Sequence, residues 1–163
     1  ILTVESFLTR TTDDGALQET GTPQNPAYEA MLTNFPDLDP NIEGDQVVIN
    51  EIYALSTTFY ATNGGNWRDR TGWPGPGLPC DTIATWFGLT CNVTSGRVIQ
   101  MDLTSNDLLG QLPSEIRVLP SLGTTYLTLC DFRLLRCSRL FVYPLQYTDL
   151  VTSLSCTRRA PAT

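Results

Sequence analysis

The sequence predicts an α/β fold in which a helical segment and a tryptophan-rich loop lead into one coil of a solenoid. Three observations carry that expectation. Apolar residues at helical spacing run from Val48 to Tyr60. Trp67, Trp73 and Trp86, the only tryptophans, share one stretch broken by glycine and proline, and Cys80 and Cys91 flank the last of them. Val98, Met101, Leu103, Asn106, Leu108, Gly110, Leu112, Pro113, Ile116, Leu119 and Leu122 then place apolar residues at the uneven spacing of a solenoid coil.

Residues 1–23 alternate short apolar pieces with threonine, aspartate and glycine, which reads as an extended or loosely ordered arm. Pro26 opens a short helix through Leu32, with Asn25 as its cap, and Pro36 ends it. Asp37, Asp39, Asn41, Glu43 and Asp45 alternate as oxygen ligands of a calcium loop do. Ile42 stands where an EF-hand needs glycine, however, and Val48 where it needs a bidentate glutamate, so a solvated acidic turn is expected. Asp45 is a good N-cap for a helix over roughly 46–61, whose stripe includes Val48, Ile49, Ile52, Tyr53, Leu55 and Phe59; Asn63, Gly64 and Gly65 stop it.

Between 66 and 97 large rings lie in a loop-rich segment and need a staple to order them. A disulfide across the stretch between Cys80 and Cys91 would supply roughly 3 kcal/mol by restricting the unfolded chain. In the coil that follows, Met101 and Leu103 alternate as a short strand requires, leaving Gln100, Asp102 and Thr104 on the solvent side as candidate partner contacts. Asn106 turns the chain by bonding its amide to backbone groups. The repeat core is Val98, Met101, Leu103, Asn106, Leu108, Leu112, Ile116, Leu119 and Leu122. Beyond it the pattern decays. Leu127 falls twenty-four residues after Leu103, as a second coil wants, and another register uses Leu127 with Leu129.

These residues carry a resemblance. Ala61-Thr62-Asn63-Gly64-Gly65-Asn66-Trp67, then Trp73, Cys80, Trp86, Gly88-Leu89-Thr90-Cys91, and the repeat through Asn106 and Leu112-Pro113-Ser114-Glu115-Ile116 resemble the N-terminal cap and first repeat of plant-type extracellular leucine-rich-repeat proteins. The stretch upstream, with Thr22-Pro23-Gln24, looks like the extended caps of such proteins in diatoms and related algae. The resemblance implies a leucine-rich-repeat solenoid fragment with a helical, disulfide-closed N-terminal cap. It implies pairing of Cys80 with Cys91, and tryptophans that plug the open end of the solenoid. Thr82, Ile83, Ala84 and Thr85 lengthen the cap loop relative to the family. The implied division is an acidic arm with a short helix over 1–44, a cap over 45–96, one clear repeat and a degenerate second over 97–129, and an irregular tail over 130–163.

Charge and composition narrow the function. The net charge is -7 with no histidine, which disfavours a nucleic-acid or anionic-membrane surface. Ten acids and one arginine fall in residues 1–60, against nine arginines and seven acids in 61–163. Arginines spread over 133–159 make only a weak patch for a polyanion. Histidine-based nucleophilic catalysis is ruled out by composition, and the phosphate-cradling loop motif is absent. The expectation is therefore no enzyme, no cofactor and no metal. No run of eighteen apolar residues and no charged-then-apolar leader occurs, so a soluble chain, processed or incomplete, is expected. Five cysteines leave one unpaired within the chain; Cys130 and Cys137 can close a small loop, leaving Cys156. Asn92-Val93-Thr94 is the chain's one glycosylation sequon. The expected function is extracellular protein–protein recognition in an oxidising compartment. A structural subunit of a larger assembly and a glycan-binding module are the alternatives.

Overall fold

The computed structural model describes residues 1–13, 15–82, 85–119, 121–131 and 136–142, with the strands over 124–131 and 136–142 described as backbone only. Three helices come first: α1 (Val4–Leu8), α2 (Gln24–Asn34) and α3 (Glu43–Ala61). Four strands follow: β1 (Leu89–Cys91), β2 (Val98–Leu109), β3 (Thr124–Asp131) and β4 (Arg136–Val142). Short 3-10 turns lie at Gly64–Asn66 and Ser114–Val118. The strands form one sheet in the order β1-β2-β3-β4. β1 is antiparallel to β2, β3 is parallel to β2, and β4 is antiparallel to β3. Among the described residues no helix is long and apolar enough to cross a membrane.

Helix α3 is the shared wall of two cores. Ala54, Leu55 and Phe59 pack with Trp67, Trp73, Trp86, Leu89, Val98, Met101, Leu103, Leu108, Ile116 and Leu119. Ile49, Ile52 and Tyr53 pack with Phe7, Leu8, Leu17, Ala27 and Met31. A helix apolar on both sides must be covered on both sides. That requirement corrects the reading of residues 1–23 as an extended arm. Thr3 and Ser6 form a reciprocal capping box that starts α1, and the doublets Phe7-Leu8 and Ala16-Leu17 are buried. Phe7, Leu8 and Leu17, each taken from water, contribute roughly 1.5–3 kcal/mol apiece, which favours folding the segment onto α3.

Both helix starts lie upstream of the expected ones. Helix α2 begins at Gln24, not Pro26. Asn25 sits in its first turn, where its N–H donates to Thr22 Oγ1 (3.3 Å) and its amide donates to the Leu17 carbonyl (2.8 Å). Helix α3 begins at Glu43. Asp45 is inside the first turn, and its Oδ2 accepts the Asp39 N–H (2.9 Å) instead of capping. Its charge still favours the helix N-terminus. The acidic turn uses its oxygens internally. Asp39 Oδ1 accepts from the Asn41 backbone (2.9 Å) and amide (2.7 Å), which lowers the Asp39 pKa. Asn41 in turn clasps the Leu2 backbone through both ends of its amide.

The β2–β3 register carries a 24-residue offset at its start, with Gln100, Met101, Asp102 and Leu103 opposite Thr124, Thr125, Tyr126 and Leu127. After an irregularity the pairing resumes as Leu108 opposite Leu129, so the 24-residue register suggested by the sequence holds up to Leu103 and gives way to a different one beyond Asn106. Ser105 and Asp107 take left-handed φ of 57° and 58° there, the local twist that a shift in register demands. Strand β4 lies within the stretch read as irregular from 130 onward. Cys130 and Cys137 are register partners across β3 and β4; their side chains, Cys156 and the tail over 143–163 lie outside what the structure describes.

Candidate interaction site

Cys80 and Cys91 are joined by a disulfide, with Cα atoms 5.8 Å apart. The bond ties the proline-rich loop to β1, the strand that covers the outer edge of β2. Behind it the rings of Phe59, Trp67, Trp73 and Trp86 form a continuous series, with successive centroids 5.1, 5.1 and 5.0 Å apart. Each indole N–H has a backbone acceptor: Trp67 donates to Thr62, Trp73 to Phe87 and Trp86 to Gly77. The three tryptophans are 5%, 6% and 1% exposed. Rings buried to this degree with their N–H groups satisfied are packing elements, unavailable as a platform for sugar stacking.

Asn106, 2% exposed, joins the coil to this loop. Its Oδ1 accepts the Asp69 N–H and its Nδ2 donates to the Asp69 carbonyl, both at 2.7 Å. Arg68 N–H donates to the Asn106 carbonyl (3.3 Å). The sequence suggested that this amide would serve neighbouring backbone at the turn; its partner is instead a residue of the tryptophan loop. The adjoining Arg68–Asp107 ion pair (3.2 Å) is well exposed on both sides and contributes under about 1 kcal/mol. Gly110, at φ 133°, crosses the end of α3, where Leu109 N–H donates to the Thr62 carbonyl (3.0 Å). A Cβ at Gly110 would collide with the Ala61 carbonyl oxygen.

Two buried carboxylates were not singled out from the sequence. Glu115, 1% exposed, accepts from Thr12 Oγ1 (2.6 Å) and Gln24 Nε2 (2.9 Å), so it binds the N-terminal segment to the back of the coil. Tyr53 lies in the same interior, and burial, with the Glu115 charge adding to it, pushes its pKa up to about 12. Glu51 of α3 accepts the Val98 N–H at the start of β2 (2.6 Å) and faces Arg97 (3.5 Å). Its one sequence signal was a charge interrupting the apolar run of α3 between Ile49 and Ile52.

Burial raises the Glu51 pKa above its ordinary 4.5, and the Val98 N–H and Arg97 recover only part of the shift. A carboxyl with a raised folded-state pKa contributes stability that is complete below the unfolded value and lost as pH rises through the folded one. Glu51→Gln, which keeps an acceptor for Val98, is therefore expected to gain melting temperature over the parent chain as pH rises from about 4.5 to about 7. Thermal melts of both chains across that range check this. A constant difference, or one of opposite slope, refutes it.

The candidate contact face lies on β2. Asp102 and Thr104 are exposed and Gln100 is half-buried. Asp102 Oδ1 accepts from the Thr104 N–H (3.0 Å) and hydroxyl (2.7 Å), which orients the carboxylate. Val98, Met101, Leu103 and Leu108 are buried on the other side. Ile116 and Leu119 close the coil, with Leu112 and Leu122 partly buried against it. Asn92 is exposed in the β1–β2 turn. Among the described residues no group of three or more His, Cys, Asp or Glu is placed to hold a metal ion.

The architecture is that of a mixed α/β module whose sheet edge is closed by a disulfide-tied, tryptophan-packed loop. Over 50 residues, 31% of its length, the chain is 46% identical to a probable leucine-rich repeat receptor-like protein kinase of Arabidopsis thaliana. The match spans 5% of that plant protein. No family model matches the sequence, and no solved structure matches it.

Proposed function

We propose that the chain is a non-catalytic, extracellular protein–protein recognition module of the leucine-rich-repeat type, with Gln100, Asp102 and Thr104 at the centre of its contact face. The observation that carries this reading is the parallel pairing of β2 with β3 at a 24-residue offset, with β1 and the disulfide loop on the opposite edge of β2. A coil repeated at that interval presents a strand face to partners. The Cys80–Cys91 disulfide supports an oxidising compartment. Catalysis is left out of the proposal because the chain has no histidine and because Glu51 and Glu115 are engaged in hydrogen bonds that hold elements together.

The test is a pairwise binding screen of the oxidised chain against secreted and cell-surface ectodomains, followed by Asp102→Lys on any pair found. Reversing a charge at the centre of the face is expected to weaken binding at least about tenfold with an unchanged melting temperature. A pair indifferent to Asp102→Lys moves the interface off this face. Light scattering that shows only a large homogeneous self-assembly replaces recognition with the structural-subunit reading.

A further inference from the structure

We infer that Asn92 is an acceptor for an N-linked oligosaccharide, carried at the turn between β1 and β2. The inference rests on the extracellular reading above for its occurrence in the source cell; the geometry stands independently. Asn92-Val93-Thr94 has the acceptor pattern, and the whole turn from Asn92 to Gly96 is exposed, with Val93 101% exposed.

The turn also divides the asparagine amide between two tasks. Asn92 Oδ1 accepts the N–H groups of Thr94 (2.8 Å) and Ser95 (3.0 Å), while the backbone closes through Asn92 N–H to the Arg97 carbonyl (2.9 Å) and Gly96 N–H to the Asn92 carbonyl (2.8 Å). The amide nitrogen Nδ2 donates to no group among the described residues. Two donors on the oxygen favour the resonance form with the more acidic N–H, and they hold the side chain with its nitrogen outward. The neighbouring Cys91 fixes the turn's base through the disulfide.

The co-reactant is a lipid diphosphate-linked oligosaccharide. A bond forms between Nδ2 and the anomeric carbon of the first sugar as that carbon's bond to the diphosphate oxygen breaks. The lipid diphosphate leaves with the electron pair, and one amide proton passes to solvent. The product is a secondary amide whose Oδ1 still accepts from Thr94 and Ser95, so the turn keeps its hydrogen bonds after modification.

The full chain, exported from a eukaryotic cell behind a cleavable leader, is analysed by intact mass and peptide mapping before and after treatment with an N-glycan amidase. The expected result is one oligosaccharide, located at position 92, whose removal leaves aspartate there. Thr94→Ala abolishes it and Thr94→Ser retains it. Asn92→Asp keeps the turn's acceptor oxygen but carries no glycan, so its secretion separates loss of the sugar from misfolding. Secreted chain with the Cys80–Cys91 bond closed and Asn92 bare overturns the inference while leaving the extracellular reading intact. A glycosylated chain with that bond open in material from its natural source leaves the glycan standing and removes the disulfide's support for an oxidising compartment.

Discussion

Truncation of Trp86 to alanine is expected to cost about 4 kcal/mol of unfolding free energy, within the range for buried tryptophans. Trp86 is 1% exposed and ends the ring series, 5.0 Å from Trp73. Its backbone is fastened on both sides, N–H to the Pro79 carbonyl and carbonyl to the Leu89 N–H, each at 3.1 Å. Gly72 passes so close that a Cβ there would meet Trp86 Cδ1 at 2.8 Å. The disulfide holds the loop's ends in place, so the surroundings have little freedom to collapse into the space the ring vacates. Trp86→Phe restores much of the apolar volume but leaves the Gly77 carbonyl without its indole donor, and an intermediate loss of about 2 kcal/mol follows. Urea unfolding of the oxidised protein orders the three chains. Alanine within about 1 kcal/mol of the parent would mean that the ring fills no space the fold depends on.

The inward face of β2 was legible because its signal is local: Met101, Leu103 and Leu108 show their burial in their spacing. The tryptophan loop was legible in part, since three rings beside two cysteines can be ordered only against a core. The N-terminal segment was not legible for a physical reason. Helix α1 has five residues, too few to show a period, and its formation depends on a distant partner, the face of α3 formed by Ile49, Ile52 and Tyr53. Glu115 was hidden likewise. Its sequence neighbours, Ser114 and Ile116, do not foretell that Thr12 and Gln24 will cover it. Asp69 carried no signal at all, since its backbone, and not its side chain, holds Asn106. Non-local hydrogen bonds to main-chain groups leave no trace in residue type at the partner.

Asn106→Ala is expected to cost about 2 kcal/mol, because it strands both the N–H and the carbonyl of half-buried Asp69, and water recovers part of the roughly 1–3 kcal/mol that a fully buried unpaired group costs. Asn106→Asp separates the two bonds. The introduced carboxylate can still accept from the Asp69 N–H, but it turns a negative oxygen toward the Asp69 carbonyl, where Nδ2 now donates at 2.7 Å. The variant is therefore expected to be as unstable as alanine near neutral pH. Protonation restores a donor, so the folded-state pKa of the introduced carboxyl is raised. Its stability is then lost as pH rises through that value and regained below it, whereas Asn106→Ala shows no such recovery. Arg68→Ala, which removes only the exposed pair with Asp107, changes stability by less than about 1 kcal/mol and serves as the control. If Asn106→Asp and Asn106→Ala follow the same pH profile, the amide does not bridge the coil to the loop in the way its two bonds to Asp69 imply. The coil and the tryptophan loop would then be joined by apolar packing and the bonds of Arg68 to the Asn106 carbonyl and to Asp107.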